Sequence, residues 1–262
     1  MSIAGIIKKG YEIMRISGIN NTYTDYGKFA NGKKIQSAAD DAAGLAISQK
    51  MQVQKNTYDI GGENIKHGIG LSNIKDGALD GINDYLSRIH ELSIRSMNGL
   101  MSDSDKSAIQ AEIDQMKQGI EQLAGNTQFN EINILNGTSS DINIETGSGG
   151  LSLKKSNSTL KALGIEDYNI MGDFDLSSVE KAMEKVNSMR SKTGAETNAL
   201  ESAYNYATNA SLNTTAAKSR IEDLDYPKAI SEVKKQHALQ QYAFAMQRKQ
   251  MESQANILNL FI

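Results

Sequence analysis

Three histidines, His67, His90 and His237, supply the only imidazoles in the chain, and no two of them stand four residues apart. A helix-borne zinc site needs two such ligands on one face, so that chemistry lacks its donors. His90-Glu91 opens like a zinc-protease helix, but Ile94 occupies the place of the second ligand. Asp103, Asp105 and Asp114 resemble the start of a calcium loop, yet neither the turn glycine nor the closing glutamate follows, and helix capping accounts for acids in this position. Gly68-Ile69-Gly70-Leu71 lacks the third glycine of a dinucleotide loop and sits in a helical pattern, where it reads as a weak spot. Asn136-Gly137-Thr138, Asn157-Ser158-Thr159 and Asn209-Ala210-Ser211 match the glycan-acceptor triplet, a pattern frequent by chance. His237 lies on an apolar stripe, where a ring packed in an interface is the simplest reading. Zero cysteines remove disulfides and thiolate metal sites. Catalysis needs polar groups that converge; the expectation is a protein with no enzyme activity, no cofactor and no metal.

The elements that carry these residues are mostly helical. From about Ile65 to Met97, Leu71, Ile74, Ala78, Ile82, Tyr85, Ile89 and Leu92 recur in steps of three and four, a coiled-coil seam. After a polar break, Gly99 to Ser104, the rhythm resumes at Ile109, Ile113, Met116, Ile120 and Leu123, with Asp103 or Ser104 available as the cap. Two such helices predict an antiparallel hairpin. Between about Asn126 and Ser177 the apolar period falls to two, at Ile132, Ile134, Ile142, Ile144, Leu151 and Leu153, which predicts short β-hairpins. Ser177 with Glu180 reads as a capping box ahead of a third long helix through Val179, Leu200, Ala207 and Leu224. Pro227 breaks or kinks that helix. Beyond it Ile230, Val233, His237, Phe244, Met251, Ala255, Leu258 and Ile262 form a stripe that reaches the chain end.

The expected fold class is therefore mainly α: a long antiparallel helical hairpin plus a C-terminal helix in a coiled-coil-like rod, a small β-hairpin region in the middle, and terminal helical arms. The expected divisions are an N-terminal arm at 1–43, the N-terminal part of the helical core with the hairpins at 44–177, the C-terminal core helix at 178–225 and a C-terminal arm at 226–262. Apolar seams at free ends need a partner, commonly another copy of the chain.

Net charge is −3, with 28 basic residues scattered among 31 acidic ones, including Arg190, Lys192, Lys234 and Lys235 on solvated faces; nucleic acid is not an expected partner. Aromatics make up 6% of residues and tryptophan is absent, which favours thin helical layers over a thick core. No apolar run approaches the ~20 residues that span a bilayer, so membrane insertion is not expected. Lys8, Lys9, Glu12 and Arg15 interrupt any signal-peptide core at the start, so export would use a non-Sec route.

The most specific string is Ile35-Gln36-Ser37-Ala38-Ala39-Asp40-Asp41-Ala42-Ala43-Gly44-Leu45-Ala46-Ile47-Ser48, in which Ser37 and Asp40 form a capping box ahead of a small-residue face. It resembles the N-terminal signature of bacterial flagellins nearly letter for letter. Asp76 to Leu79, Arg88 to Ile94, Ile109 to Ile113, Thr127 to Asn130, Leu135 to Gly137 and Ala217 to Tyr226 follow in the family's order, so the resemblance covers 36–137 and 178–262. It implies a short flagellin without large outer domains: a secreted, extracellular filament subunit for motility, exported unfolded through the flagellar type III pathway. It implies as partners the chain itself, an export chaperone on the C-terminal arm, and the filament cap and hook-junction proteins. Lys28 to Gly32 and Gly5, Gly10, Gly18 and Gly27 depart from the family's usual start; helix-interior glycines cost ~1 kcal/mol each. A minor or non-assembling flagellin, or a hook-filament junction protein, is the alternative.

Two residue sets follow from the resemblance. Ile257, Leu258, Leu260, Phe261 and Ile262 would be buried in the inner tube of an assembly. Arg88, Leu92 and Glu112 match the surface gripped by the flagellin-sensing Toll-like receptor, which also packs against neighbouring subunits. Spacing places Arg88 and Leu92 on one face, and the antiparallel return brings Glu112 beside them. On spacing alone, Leu92 is a seam residue and the two charges flank it.

Overall fold

The computed structural model describes the backbone of residues 27–138 and 140–259, and side chains up to Ser253. Gly5, Gly10 and Gly18, and Leu260, Phe261 and Ile262, lie outside the described residues, as do the side chains of Ala255, Ile257 and Leu258. The elements are α1 (Ala38–Ser96), α2 (Asp103–Asn126), β1 (Gln128–Phe129), β2 (Ile132–Asn133), β3 (Ile142–Glu145), β4 (Gly150–Leu153), α3 (Leu160–Leu163), α4 (Ser177–Glu222) and α5 (Tyr226–Asn259). The chain divides into two compact units: Gln54–Leu212, and Met1–Val53 with Asn213–Ile262.

Within the 54–212 unit, one apolar cluster joins α1, α2, α4 and the loops between them. The buried face of α1 runs through Ile65, Ser72, Lys75, Leu79, Ile82, Leu86, Ile89, Ser93 and Ser96. Ile74, expected in the seam, is 44% exposed. At Lys75, Leu79 and Leu86 the seam lies one residue beyond the expected Ile74, Ala78 and Tyr85, because polar Ser72 and Lys75 occupy interior positions that a purely apolar reading passes over. Helix α2 contributes Ile109, Ile113 and Ile120, and α4 contributes Val179, Ala182, Val186, Leu200 and Ala207.

Two cap assignments differ from the sequence reading. Ser102, not Asp103 or Ser104, is the N-cap of α2: its side chain accepts from Asp105 N, and the Asp105 carboxylate accepts from Ser102 N at 3.1 Å. At the start of α4, Asp175 accepts from Ser177 N at 2.9 Å and from the Ser177 hydroxyl, while Glu180 faces His90 at 3.5 Å. The expected Ser177–Glu180 box is absent because Ser177 spends its hydroxyl on the preceding aspartate and Glu180 pairs across to α1.

The strands form two separate antiparallel pairs, β1 with β2 and β3 with β4, the latter in register Ile142↔Leu153 and Ile144↔Leu151. Asn130 (φ 49°) and Glu131 (φ 65°) make the β1–β2 turn with both central residues left-handed, as a two-residue hairpin loop requires. The β3–β4 hairpin lies along α1 through two glycines one heptad apart. A Cβ on Gly61 would stand 2.2 Å from the Thr146 carbonyl oxygen, and one on Gly68 would stand 3.2 Å from Ile144. Gly68 is thus a seat for the hairpin and not merely a weak spot. Asn64 donates to Glu145 O at 3.1 Å, and buried Lys75 donates to Lys154 O at 3.0 Å, fixing the two ends of the hairpin.

In the other unit, α1 starts twice. Asp40 accepts from Gln36 N and Ser37 N at 3.1 and 3.0 Å and pairs with Lys28 at 3.0 Å. Lys28 first, then the two amides, hold its carboxyl well below the usual range. Asp41 is extended, and its carboxylate accepts from Gly44 N at 2.9 Å. The Ser37–Asp40 box is therefore only half made: the Ser37 hydroxyl bonds the Asp40 carboxylate at 3.1 Å, and Asp41 caps the helix that continues. Helix α4 stops at Glu222, and Pro227 falls in the first turn of α5, where Asp225 caps Lys228 N at 3.2 Å and a missing N–H is harmless.

Candidate functional site

Arg88 projects from α1 in its last turns, and Glu112 from α2 just beyond the connecting turn. The antiparallel return sets them against each other: Arg88 Nη2 and Nε donate to Glu112 Oε1 at 2.8 and 3.1 Å. Arg88 Nη1 also donates to Glu91 Oε2 at 3.2 Å, adding a second carboxylate that the sequence reading did not include. Glu112 first, then Glu91, raises the guanidinium pKa above its ordinary value. These side chains remain largely exposed, Arg88 at 46% and Glu112 at 39%. Leu92 does not share their surface. It is 1% exposed and packs in the core beneath them. The arrangement is a partly exposed charged plate on two antiparallel helices.

The second surface is α5. Ile230, Phe244 and Met251 are spaced by multiples of seven and are 45%, 68% and 56% exposed, with His237, also exposed, at the intervening position. Leu239, Tyr242 and Met246, at i, i+3 and i+7, are 60%, 76% and 56% exposed. This latter triplet was missed in the sequence, although its spacing is helical, because the heptad through His237 drew the reading to one stripe. A helix with apolar residues around so much of its circumference is built to be surrounded.

Among the described residues, no cluster of three or more histidines and carboxylates is placed to hold a metal, and no helix is long and apolar enough to cross a membrane.

The family model for the bacterial flagellin N-terminal helical region matches residues 19–140, and that for the bacterial flagellin C-terminal helical region matches residues 176–261. The chain is 30% identical over 271 residues to the flagellar filament 31.3 kDa core protein of Treponema maltophilum, covering 94% of this chain and 95% of that protein. It is 32% identical over 244 residues to the flagellin of Halalkalibacterium halodurans, covering 89% of each. The crystal structure of Bacillus cereus flagellin matches with a TM-score of 0.51 at 27% identity, over 60% of this chain and 94% of that one. Between them the two regions take in the α1–α2 hairpin and the α4 and α5 helices, and on that coverage the chain belongs to the bacterial flagellin family.

Proposed function

We propose that this chain is a structural subunit of the bacterial flagellar filament, polymerising with copies of itself and performing no catalysis. The observation that carries the reading is the uncovered apolar surface of α5. Burying an aliphatic or aromatic side chain of this kind contributes roughly 1.5 to 3 kcal/mol, and seven large apolar residues of α5 stand at least 45% exposed. A head-to-tail contact that does not close into a ring generates an open filament, which gives such a surface its use. The family membership and the filament core proteins among the relatives support the same reading.

The finer parts of the proposal rest on the family. The chain would be secreted through the flagellar export pathway, with a chaperone holding its C-terminal arm, and would meet the cap and hook-junction proteins at the filament ends. Residues 1–43 and 226–262 would serve as the arms, with 44–177 and 178–225 as the core. Ile257, Leu258, Leu260, Phe261 and Ile262 would be buried only on assembly. The Arg88–Glu112 plate, with Leu92 anchoring the helix beneath it, would be the face offered to the flagellin-sensing Toll-like receptor and hidden between subunits in the filament.

The test is electron microscopy of the purified full chain after salt- or seed-induced assembly. Filaments that elongate without limit are expected. A chain that stays monomeric under seeding, or stops at a short cap-like oligomer, refutes the filament reading.

A further inference from the structure

Two stretches far apart in sequence are stitched together at the roots of the terminal segments. Lys34 N–H donates to Glu222 O at 2.8 Å, and Leu224 N–H donates to Gly32 O at 2.9 Å, closing an antiparallel bridge between Lys33 and Asp223. Lys34 Nζ donates to Arg220 O at 3.0 Å, and the Tyr226 hydroxyl donates to Phe29 O at 3.1 Å. The Phe29 and Tyr226 rings lie 6.0 Å apart. Gly32 takes φ +66°, and a Cβ there would stand 3.1 Å from the Tyr226 hydroxyl, so the bridge needs glycine on two counts.

Glu222 sits at the centre of this join and is 6% exposed. Its Oε1 is 2.5 Å from Lys33 Nζ, and its Oε2 is 3.4 Å from Lys218 Nζ. Lys218 also donates to Gln52 Oε1 at 2.6 Å. The cavity of about 490 Å³ beside it is lined from α1 by Leu45, Ser48, Gln49 and Gln52, all uncharged. The charged groups facing Glu222 are therefore Lys33, from the segment before α1, and Lys218, from its own helix. Asp223 accepts from the Ser219 hydroxyl, and Lys28, Arg220, Asp225 and Lys228 line a separate cavity at the same join.

A bridge of one residue pair is too short to hold by its own hydrogen bonds. We propose that Glu222 is the pin of an acid-released clasp, which holds the segment before α1 and the start of α5 side by side and lets them part when its carboxylate is protonated. That the clasp presents both arms to a neighbouring subunit together rests on the filament reading; the clasp itself does not.

Lys33 first, and then Lys218, draws the Glu222 carboxyl below its ordinary value of 4.5. A carboxylate depressed in the folded state contributes stability that is complete above the unfolded pKa and is lost as pH falls through the folded one. The clasp is therefore closed at neutral pH and opens in acid, below about pH 4.5.

Amide hydrogen exchange on the full monomeric chain tests this, read as protection factors at Lys34 and Leu224, with Ile82 and Ile89 as reference amides in the other unit. Both clasp amides should lose protection several-fold between roughly pH 7 and pH 3 while the references hold. Glu222→Gln should show that loss already at neutral pH, with no further pH-dependent step. Wild-type protection in Glu222→Gln at both pH values overturns the clasp. Should that variant lose its reference protection as well, Lys33→Gln replaces it: lower protection at neutral pH supports the clasp, and unchanged protection overturns it. Assembly is scored separately, so a chain with the expected exchange but no filaments sinks only the filament reading.

Discussion

Replacing Lys75 with methionine should unseat the β3–β4 hairpin and destabilise the unit around it. Lys75 is 3% exposed; its ammonium donates to Lys154 O at 3.0 Å and to Glu196 Oε2 at 3.4 Å. The other Glu196 oxygen accepts from Lys154 N at 2.9 Å, so a single lysine and a single glutamate close both backbone groups at the end of β4. Lys75→Met leaves a carboxylate whose side chain is only 15% exposed without its cation. Removing one partner of a buried pair costs about 3–5 kcal/mol, and the retained Lys154 amide and partial solvent contact place this case near the lower end. For a unit of this size, about 3 kcal/mol lowers Tm by roughly 6–12 °C. Thermal unfolding followed by circular dichroism reads the effect. The double variant Lys75→Met/Glu196→Leu should recover part of it, short of about 1 kcal/mol each for the Lys154 carbonyl and amide, both then unpaired. A single variant within about 2 °C of wild type, or a double variant less stable than the single one, would refute the reasoning.

Four further outcomes are expected. Gly61→Ala should cost about 1–3 kcal/mol, because its Cβ would meet the Thr146 carbonyl at 2.2 Å, and exchange at the β3 and β4 amides should quicken before the helices respond. Leu92→Ala should cost about 2–5 kcal/mol in denaturant unfolding, since the side chain is 1% exposed; any loss of receptor binding must then be measured on chain shown to be folded. Arg88→Ala and Glu112→Ala should leave Tm essentially unchanged, as exposed pairs contribute little, yet weaken Toll-like receptor binding and subunit packing; full retention of both would reduce the plate to ordinary helix surface. Phe244→Asp, or deletion of 257–262, should abolish polymerisation in a sedimentation assay while leaving the thermal unfolding of the 54–212 unit unchanged.

The long helices and the change to a two-residue period between them were legible in the sequence, because both are local patterns of several consecutive repeats. The caps were less so. Ser102, Asp103 and Ser104 are all competent N-caps by residue type, and only the position of Asp105, three residues after Ser102, selects among them. At α4 the same rule misled: Ser177 and Glu180 have the spacing of a capping box, but Asp175 and His90 offered each of them a nearer partner. Ile74 fell out of the seam for a related reason. Ser72 and Lys75 are interior positions filled by polar side chains, and Lys75 is tolerated there because the Lys154 carbonyl and Glu196, 79 and 121 positions away, satisfy it. Nothing within one helical turn carries that information.

The surfaces proposed to serve partners divide in the same way. Arg88 and Glu112 could be brought together on paper because a short turn between two regular helices fixes their register, and the distances of 2.8 and 3.1 Å follow from that geometry. Periodicity alone could not decide what covers an apolar stripe. Along α1 the stripe through Leu79, Ile82, Leu86 and Ile89 is closed by the chain's own α2 and α4, at 0–1% exposure. Along α5 an equally regular stripe leaves Phe244 and Met251 at 68% and 56%. The two patterns obey one rule of helix amphipathicity, and they differ in that, among the described residues, only the α1 stripe meets a complementary face. Helix α5 carries large apolar groups where a helix of a self-contained monomer would carry charge, and the proposed filament gives them a use by burying them against another copy.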